Sequence, residues 1–107
     1  VYVPTDNTII SALESAVGVA EESKLPLFTA DTDSVRRGAV AALGFNYYDV
    51  GKQTGDIVVR VLKGETVGDI PATVAKGTDL VVNKAAAAKM GVTLPEALVA
   101  RATKVIE

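Results

Sequence analysis

Val1-Tyr2-Val3-Pro4-Thr5-Asp6-Asn7-Thr8 is the stretch that decides the fold. Three apolar, strand-favouring residues are stopped by Pro4, and a polar cluster precedes an amphipathic helical pattern that starts at Ile9. A short apolar run bounded by a turn signal reads as a buried strand. The polar cluster supplies helix N-cap chemistry and places hydrogen-bonding groups at the strand's C-terminal end. In open α/β sheets that end is where ligands bind. A second polar turn, Asp31-Thr32-Asp33-Ser34, follows the strand-like run Leu27–Ala30. The two turns are expected to grip a small polar molecule.

Working outward, the 107 residues suffice for one modest domain with a real core. Apolar residues make up 49% and aromatics only 5%, so the core must be Val, Ala, Leu and Ile. That mixture suits parallel strands covered by helices. Eleven basic and thirteen acidic residues give a net charge of -2 with no basic patch, which argues against nucleic acid as a partner. The chain has neither Cys nor His, so disulfides, thiolate metal sites and the commonest general base are excluded. No metal or other cofactor is expected. No apolar run is long enough to span a membrane, and no signal-like segment is present. Val1 already lies inside a strand-like run, which points to a piece of a longer chain.

Along the chain, Ile9, Leu13, Ala16, Val17 and Ala20 share one face of a helix predicted over Thr8–Lys24. Gly18 within it would mark a close approach to the sheet. Leu25-Pro26 ends it, because the residue before Pro avoids the α region. A short helical turn over Val35–Arg37 is closed by Gly38, and a small-residue strand is predicted over Ala39–Leu43. A helix over Asp49–Lys63 carries Val50, Thr54, Ile57, Val58, Val61 and Leu62 as its buried stripe, with Gly51 and Gly55 as a packing groove. Ile70–Val74 and Asp79–Val82 read as strands, the first at an edge because of Pro71. Asn83 caps a helix over Lys84–Met90, and Pro95 begins a last helix reaching Ile106. The fold class is therefore α/β, a parallel sheet layered with helices.

The candidate binding residues are Thr5, Asp6, Asn7, Thr8, Asp31 and Asp33. Each turn also has a plainer reading as a helix cap, and capping and ligand contact are compatible. An enzyme alternative exists. An apolar strand followed by Asp31-Thr32-Asp33 looks like the nucleophile motif of haloacid-dehalogenase-type, Mg²⁺-dependent phosphatases. That chemistry needs further basic and acidic partners, and Lys52 and Asp56 sit in no such motif. Arg36-Arg37 reads as a solvated pair. Of Tyr47 and Tyr48, one is expected in the core and the other at a cleft or hinge.

Tyr2-Val3-Pro4-Thr5-Asp6-Asn7-Thr8, Pro26-Leu27-Phe28 leading to Asp31-Thr32-Asp33-Ser34-Val35-Arg36-Arg37-Gly38-Ala39, and Leu43-Gly44-Phe45-Asn46-Tyr47-Tyr48-Asp49-Val50-Gly51 together resemble one family. Gln53-Thr54-Gly55, Leu62-Lys63-Gly64, Asp69-Ile70-Pro71 and Val82-Asn83 extend the likeness over nearly the whole chain. The family is the substrate-binding proteins of ABC importers, of the tryptophan/tyrosine-binding type. The resemblance implies an incomplete, periplasmic-binding-protein-like (flavodoxin-like) lobe from the C-terminal part of a longer, two-lobed protein. Residues 1–45 would be a second-lobe βαβ unit, 46–64 a hinge and crossover helix, and 65–107 the C-terminal strands and helices. It further implies a non-enzymatic receptor that binds an amino acid, aromatic by preference, and serves an ABC transporter permease. Such a receptor would be periplasmic or a cell-surface lipoprotein. Thr5, Asn7 and Thr8 would clamp the ligand carboxylate and Asp31 would meet its ammonium, with Asp6 and Asp33 as substitutes.

The same likeness implies that the Val50–Lys63 helix packs on a lobe outside this sequence. An apolar helix face without its partner drives association. The chain by itself is accordingly expected to form a homo-oligomer or a domain swap. Size-exclusion chromatography with light scattering should return a mass above the 11.1 kDa of one chain; a folded monomer would count against it.

Overall fold

The computed structural model describes all residues, 1–107. The chain divides into two units, one formed by Val1–Gly44 with Asp79–Glu107 and the other by Phe45–Thr78. The first unit is a five-stranded sheet in the order β1-β2-β3-β4-β5. Its strands are β1 (Tyr2–Val3), β2 (Phe28–Thr29), β3 (Ala41–Gly44), β4 (Asp79–Asn83) and β5 (Lys104–Ile106). β1, β2 and β3 pair in parallel, β4 runs antiparallel to β3, and β5 is parallel to β4. The α/β class expected from the sequence is observed, but the sheet is mixed rather than parallel.

Helices layer both faces. Alternation along β3 and β4 sends Ala41 and Val82 to one face and Ala42 and Val81 to the other. The first face is covered by Leu13, Val17 and Ala20 of α2 (Leu13–Ser23) and by Ala87 of α5 (Lys84–Lys89) with Met90. Leu98 of α6 (Glu96–Arg101) packs on its margin. The second face receives Val35 from the one-turn helix α3 (Asp33–Arg36), with Ala39.

The helix predicted over Thr8–Lys24 is broken at Ala12 into α1 (Asn7–Ser11) and α2. The hydroxyl of Ser11 donates to the Thr8 carbonyl at 2.7 Å, the acceptor that the Ala12 N–H would use in a continuous helix. The Ala12 N–H turns instead to the Ile9 carbonyl at 3.0 Å. α2 ends at Lys24, which adopts the left-handed conformation (φ 54°). Gly18 meets nothing within 4 Å, so it marks no close approach to the sheet. Gly38 does: at φ +120° its missing Cβ would lie 2.7 Å from a Val17 methyl, which seats the α3–β3 turn against α2.

One further expectation at the C-terminal end is corrected. The last helix stops at Arg101, and Ala102 is extended (φ -67°, ψ 131°). Lys104–Ile106 then pairs with β4 as β5, because β-branched Val105 and Ile106 find an open sheet edge there. Asn83 caps α5 as expected, its Oδ1 accepting the Ala86 N–H at 2.8 Å.

The second unit contains α4 (Tyr47–Leu62), started by Asn46, whose Oδ1 accepts the Tyr48 N–H at 3.0 Å. No residue of α4 is buried, and Val58, Val61 and Leu62 are exposed. Of the expected buried stripe, only Val50 and Ile57 are half-buried, against Ile70, Pro71 and Val74. Gly51 and Gly55 face open space, so they form no packing groove. Tyr47 and Tyr48 are both exposed, so neither joins the core. Ile70–Val74 forms no strand. The backbone just beyond it is held instead by Gln53, whose side-chain Nε2 donates to the Lys76 carbonyl and whose Oε1 accepts the Lys76 N–H, both at 3.0 Å.

Arg36 and Arg37 are both exposed, as expected of a solvated pair, but Arg37 also bonds across the surface. Its guanidinium donates to both Glu14 carboxylate oxygens, at 2.7 and 2.9 Å, and to the Ile10 carbonyl at 2.9 Å. It thereby ties the α3 turn to both α1 and α2. The hydrogen bonds from Arg37, with its own backbone N–H, hold the Glu14 carboxyl down at about 2 instead of 4.5. A carboxyl lowered on folding contributes stability above its unfolded value and loses it as pH falls toward the folded one. Both groups are solvent-exposed, so the contribution is small and salt-sensitive.

Two outcomes are expected. Glu14→Gln should lose less stability than the unaltered chain between pH 5 and pH 2 (the window around about 4.5 down to about 2), measured by urea midpoints at the two pH values. Gly44→Ala should cost roughly 1–3 kcal/mol by overpacking, because its Cβ would lie 2.5 Å from the Ala30 carbonyl oxygen, where backbone cannot easily give; thermal unfolding checks this.

Candidate functional site

β1 and β2 are neighbours and parallel, with Val3 opposite Thr29. Their C-terminal ends therefore open at one rim of the sheet. The ladder runs right up to the turns, since the Ala30 N–H donates to the Val3 carbonyl at 3.0 Å. Beyond Val3 the chain enters Pro4–Thr8; beyond Thr29 it enters Ala30–Ser34. The topology thus brings both polar turns to the same edge of the first unit. Gly44, at the end of β3, lies against the Ala30 carbonyl and closes the second turn from its far side.

The individual residues are placed as follows. Thr5 is exposed in the first turn. Asp6 is the N-cap of α1, its Oδ1 accepting the Ile9 N–H at 2.9 Å. Asn7 and Thr8 begin α1 and are exposed. Asp31 is half-buried, while Asp33, the first residue of α3, is exposed. Asp31 Oδ1 accepts the Ser34 N–H at 2.9 Å, and Oδ2 accepts the Ser34 hydroxyl at 2.7 Å. The capping reading is therefore realised at both turns. It does not exhaust either carboxylate, since each has about four acceptor positions.

The sequence marks Ser34 as part of the second polar turn but not Thr29 beneath it. Thr29 and Ser34 are buried polar side chains, and both act on Asp31. The Thr29 hydroxyl donates to the Asp31 carbonyl at 3.0 Å. The signal was present: an Asp three residues ahead of a helical N–H is the spacing of a side-chain cap, as at Asp6 and Ile9.

No three acidic side chains are grouped so as to hold a metal ion. Lys52 and Asp56 lie on α4 in the other unit, where the Lys52 ammonium sits 5.8 Å from the centre of the Tyr48 ring. No helix of the chain is long and apolar enough to cross a membrane.

A family model described as ABC transporter substrate binding protein matches residues 1–106. A tyrosine-binding protein of Clostridioides difficile (strain R20291) is 40% identical over 83 residues, which is 78% of this chain and 24% of that protein. A conserved domain protein from Vibrio cholerae, of known structure, is 49% identical with a TM-score of 0.86, over 97% of this chain and 35% of that one. An ABC domain from Streptococcus pneumoniae, solved in complex with L-Trp, is 36% identical with a TM-score of 0.82, over 98% and 36%. The chain spans about a quarter of the curated relative and just over a third of each solved one. With the family model matching residues 1–106 and the fold shared with solved relatives at TM-scores of 0.86 and 0.82, the chain belongs to the ABC transporter substrate-binding protein family.

Proposed function

We propose that this chain forms one side of an amino-acid-binding cleft in a longer, two-lobed receptor, and that the amino acid is aromatic. In this reading residues 1–45 belong to the second lobe, 46–64 to a hinge and crossover helix, and 65–107 to the closing strands and helices of the chain. The receptor binds and releases its ligand unchanged and delivers it to an ABC permease, from the periplasm or as a cell-surface lipoprotein. Lobe closure over the ligand is the working motion.

The observation that carries the reading is the parallel pairing of β1 and β2, which sends two polar turns to one rim. A free amino acid is a zwitterion, so its receptor needs donors for a carboxylate and an acceptor for an ammonium. Hydroxyl and amide groups of Thr5, Asn7 and Thr8 supply the first. The half-buried carboxylate of Asp31 supplies the second, with Asp6 and Asp33 as alternatives at the same rim. The aromatic preference is drawn from the tyrosine-binding relative and from the neighbour that holds L-Trp.

The test is calorimetry on the intact receptor. L-Tryptophan or L-tyrosine should bind more tightly than L-leucine. Asp31→Asn should weaken binding more than tenfold, about 1.4 kcal/mol or more, as expected for losing a charged hydrogen bond. The substitution keeps an oxygen that can accept the Ser34 N–H, so the turn should survive. Unchanged affinity would remove Asp31 from the site.

A further inference from the structure

We propose that Ser34 is a positioning residue for ligand binding: its N–H and hydroxyl fix the Asp31 carboxylate in the orientation that receives the ligand's ammonium, while Thr29 anchors the Asp31 backbone. The inference rests on the reading of Asp31 given above and goes beyond it by naming the residue that orients that carboxylate.

Asp6 and Asp31 both cap a helix through one oxygen and an N–H three residues on, at 2.9 Å in each case. A cap needs no more than that. Asp31 has more. Its second oxygen accepts the Ser34 hydroxyl at 2.7 Å, and its own carbonyl accepts the Thr29 hydroxyl at 3.0 Å. Ser34 and Thr29 are 0% and 2% exposed, so these donors are held by the core and are shielded from water. With both oxygens engaged from the buried side, the carboxylate cannot rotate about its terminal torsion. Its remaining lone pairs stay on the side away from Ser34. Asp6 is exposed and held by one bond, and Asp33 is exposed at the start of α3. A group already fixed in its bound orientation loses less conformational freedom when the ligand arrives. Preorganisation therefore singles out Asp31, and Ser34 acts through it.

A double-mutant cycle read by L-tryptophan affinity separates this from a merely structural role. On the intact receptor, Ser34→Ala should weaken binding about three- to tenfold, as for one hydrogen bond to a charged group. In the Asp31→Asn background the same change should cost less than about twofold, because the group it positions is gone. Should Ser34→Ala compromise folding, Ser34→Cys, close in size with a weak donor, should give an intermediate loss that again vanishes beside Asp31→Asn. Equal losses in both backgrounds, or no loss in either, would overturn the role of Ser34 while leaving Asp31 in the site. If Asp31→Asn alone leaves the affinity unchanged, the ammonium assignment fails and this inference with it.

Discussion

The pairing of Ala41 with Val82 and of Ala42 with Val81 is the constraint on which the rest of the first unit depends. β3 and β4 stand at the centre of the sheet, and each successive pair looks to an opposite face. One pair belongs to the cluster under α2 and α5, the other to the cluster under α3. The hydrophobic effect acts on both layers through this one ladder. It also joins distant parts of the sequence, since the second unit intervenes between the two strands.

Polar side chains lock the ladder's ends. Asn83 is buried and uses both ends of its amide: Oδ1 accepts the Ala86 N–H, and Nδ2 donates to the Val35 carbonyl at 2.9 Å. One residue therefore starts α5 and fastens α3, across 48 positions of sequence. At the rim Ser34 and Thr29 play a comparable part for Asp31. Asn83 and Thr29 each end a strand and satisfy backbone groups there, whereas the Ser34 hydroxyl satisfies the Asp31 carboxylate. No buried side-chain polar atom in the chain lacks a hydrogen bond.

Local chemistry was the part of this architecture legible in the sequence. The caps at Asp6 and Asn83, the strand–turn–helix opening and the strand from Asp79 all follow from short-range signals, and the structure contains them. Features decided by partners far away in the chain were not legible. Leu94, Leu98, Ala102 and Val105 have helical spacing, yet the open edge of β4 draws Lys104–Ile106 into a strand. Ile70–Val74 has strand composition but no ladder to join, so it stays irregular. Arg37 is the surface charge its sequence suggests, but its partners, Glu14 and the Ile10 carbonyl, are set by tertiary packing. The candidate rim was readable as two polar turns, whereas the buried donors below one of them were not, because burial of Ser34 is a tertiary fact.

The alanine-rich centre has a consequence of its own. Ala39, Ala41 and Ala42 are buried, and they are divided between the two layers of helices. Interiors at crystal-like density have no slack to absorb added methylenes. Enlarging a residue on this strand would press on a helix above or below and would strain the shared ladder whichever face it lay on. Substitutions that add volume are thereby tolerated less in the middle of the sheet than in the exposed turns at its rim.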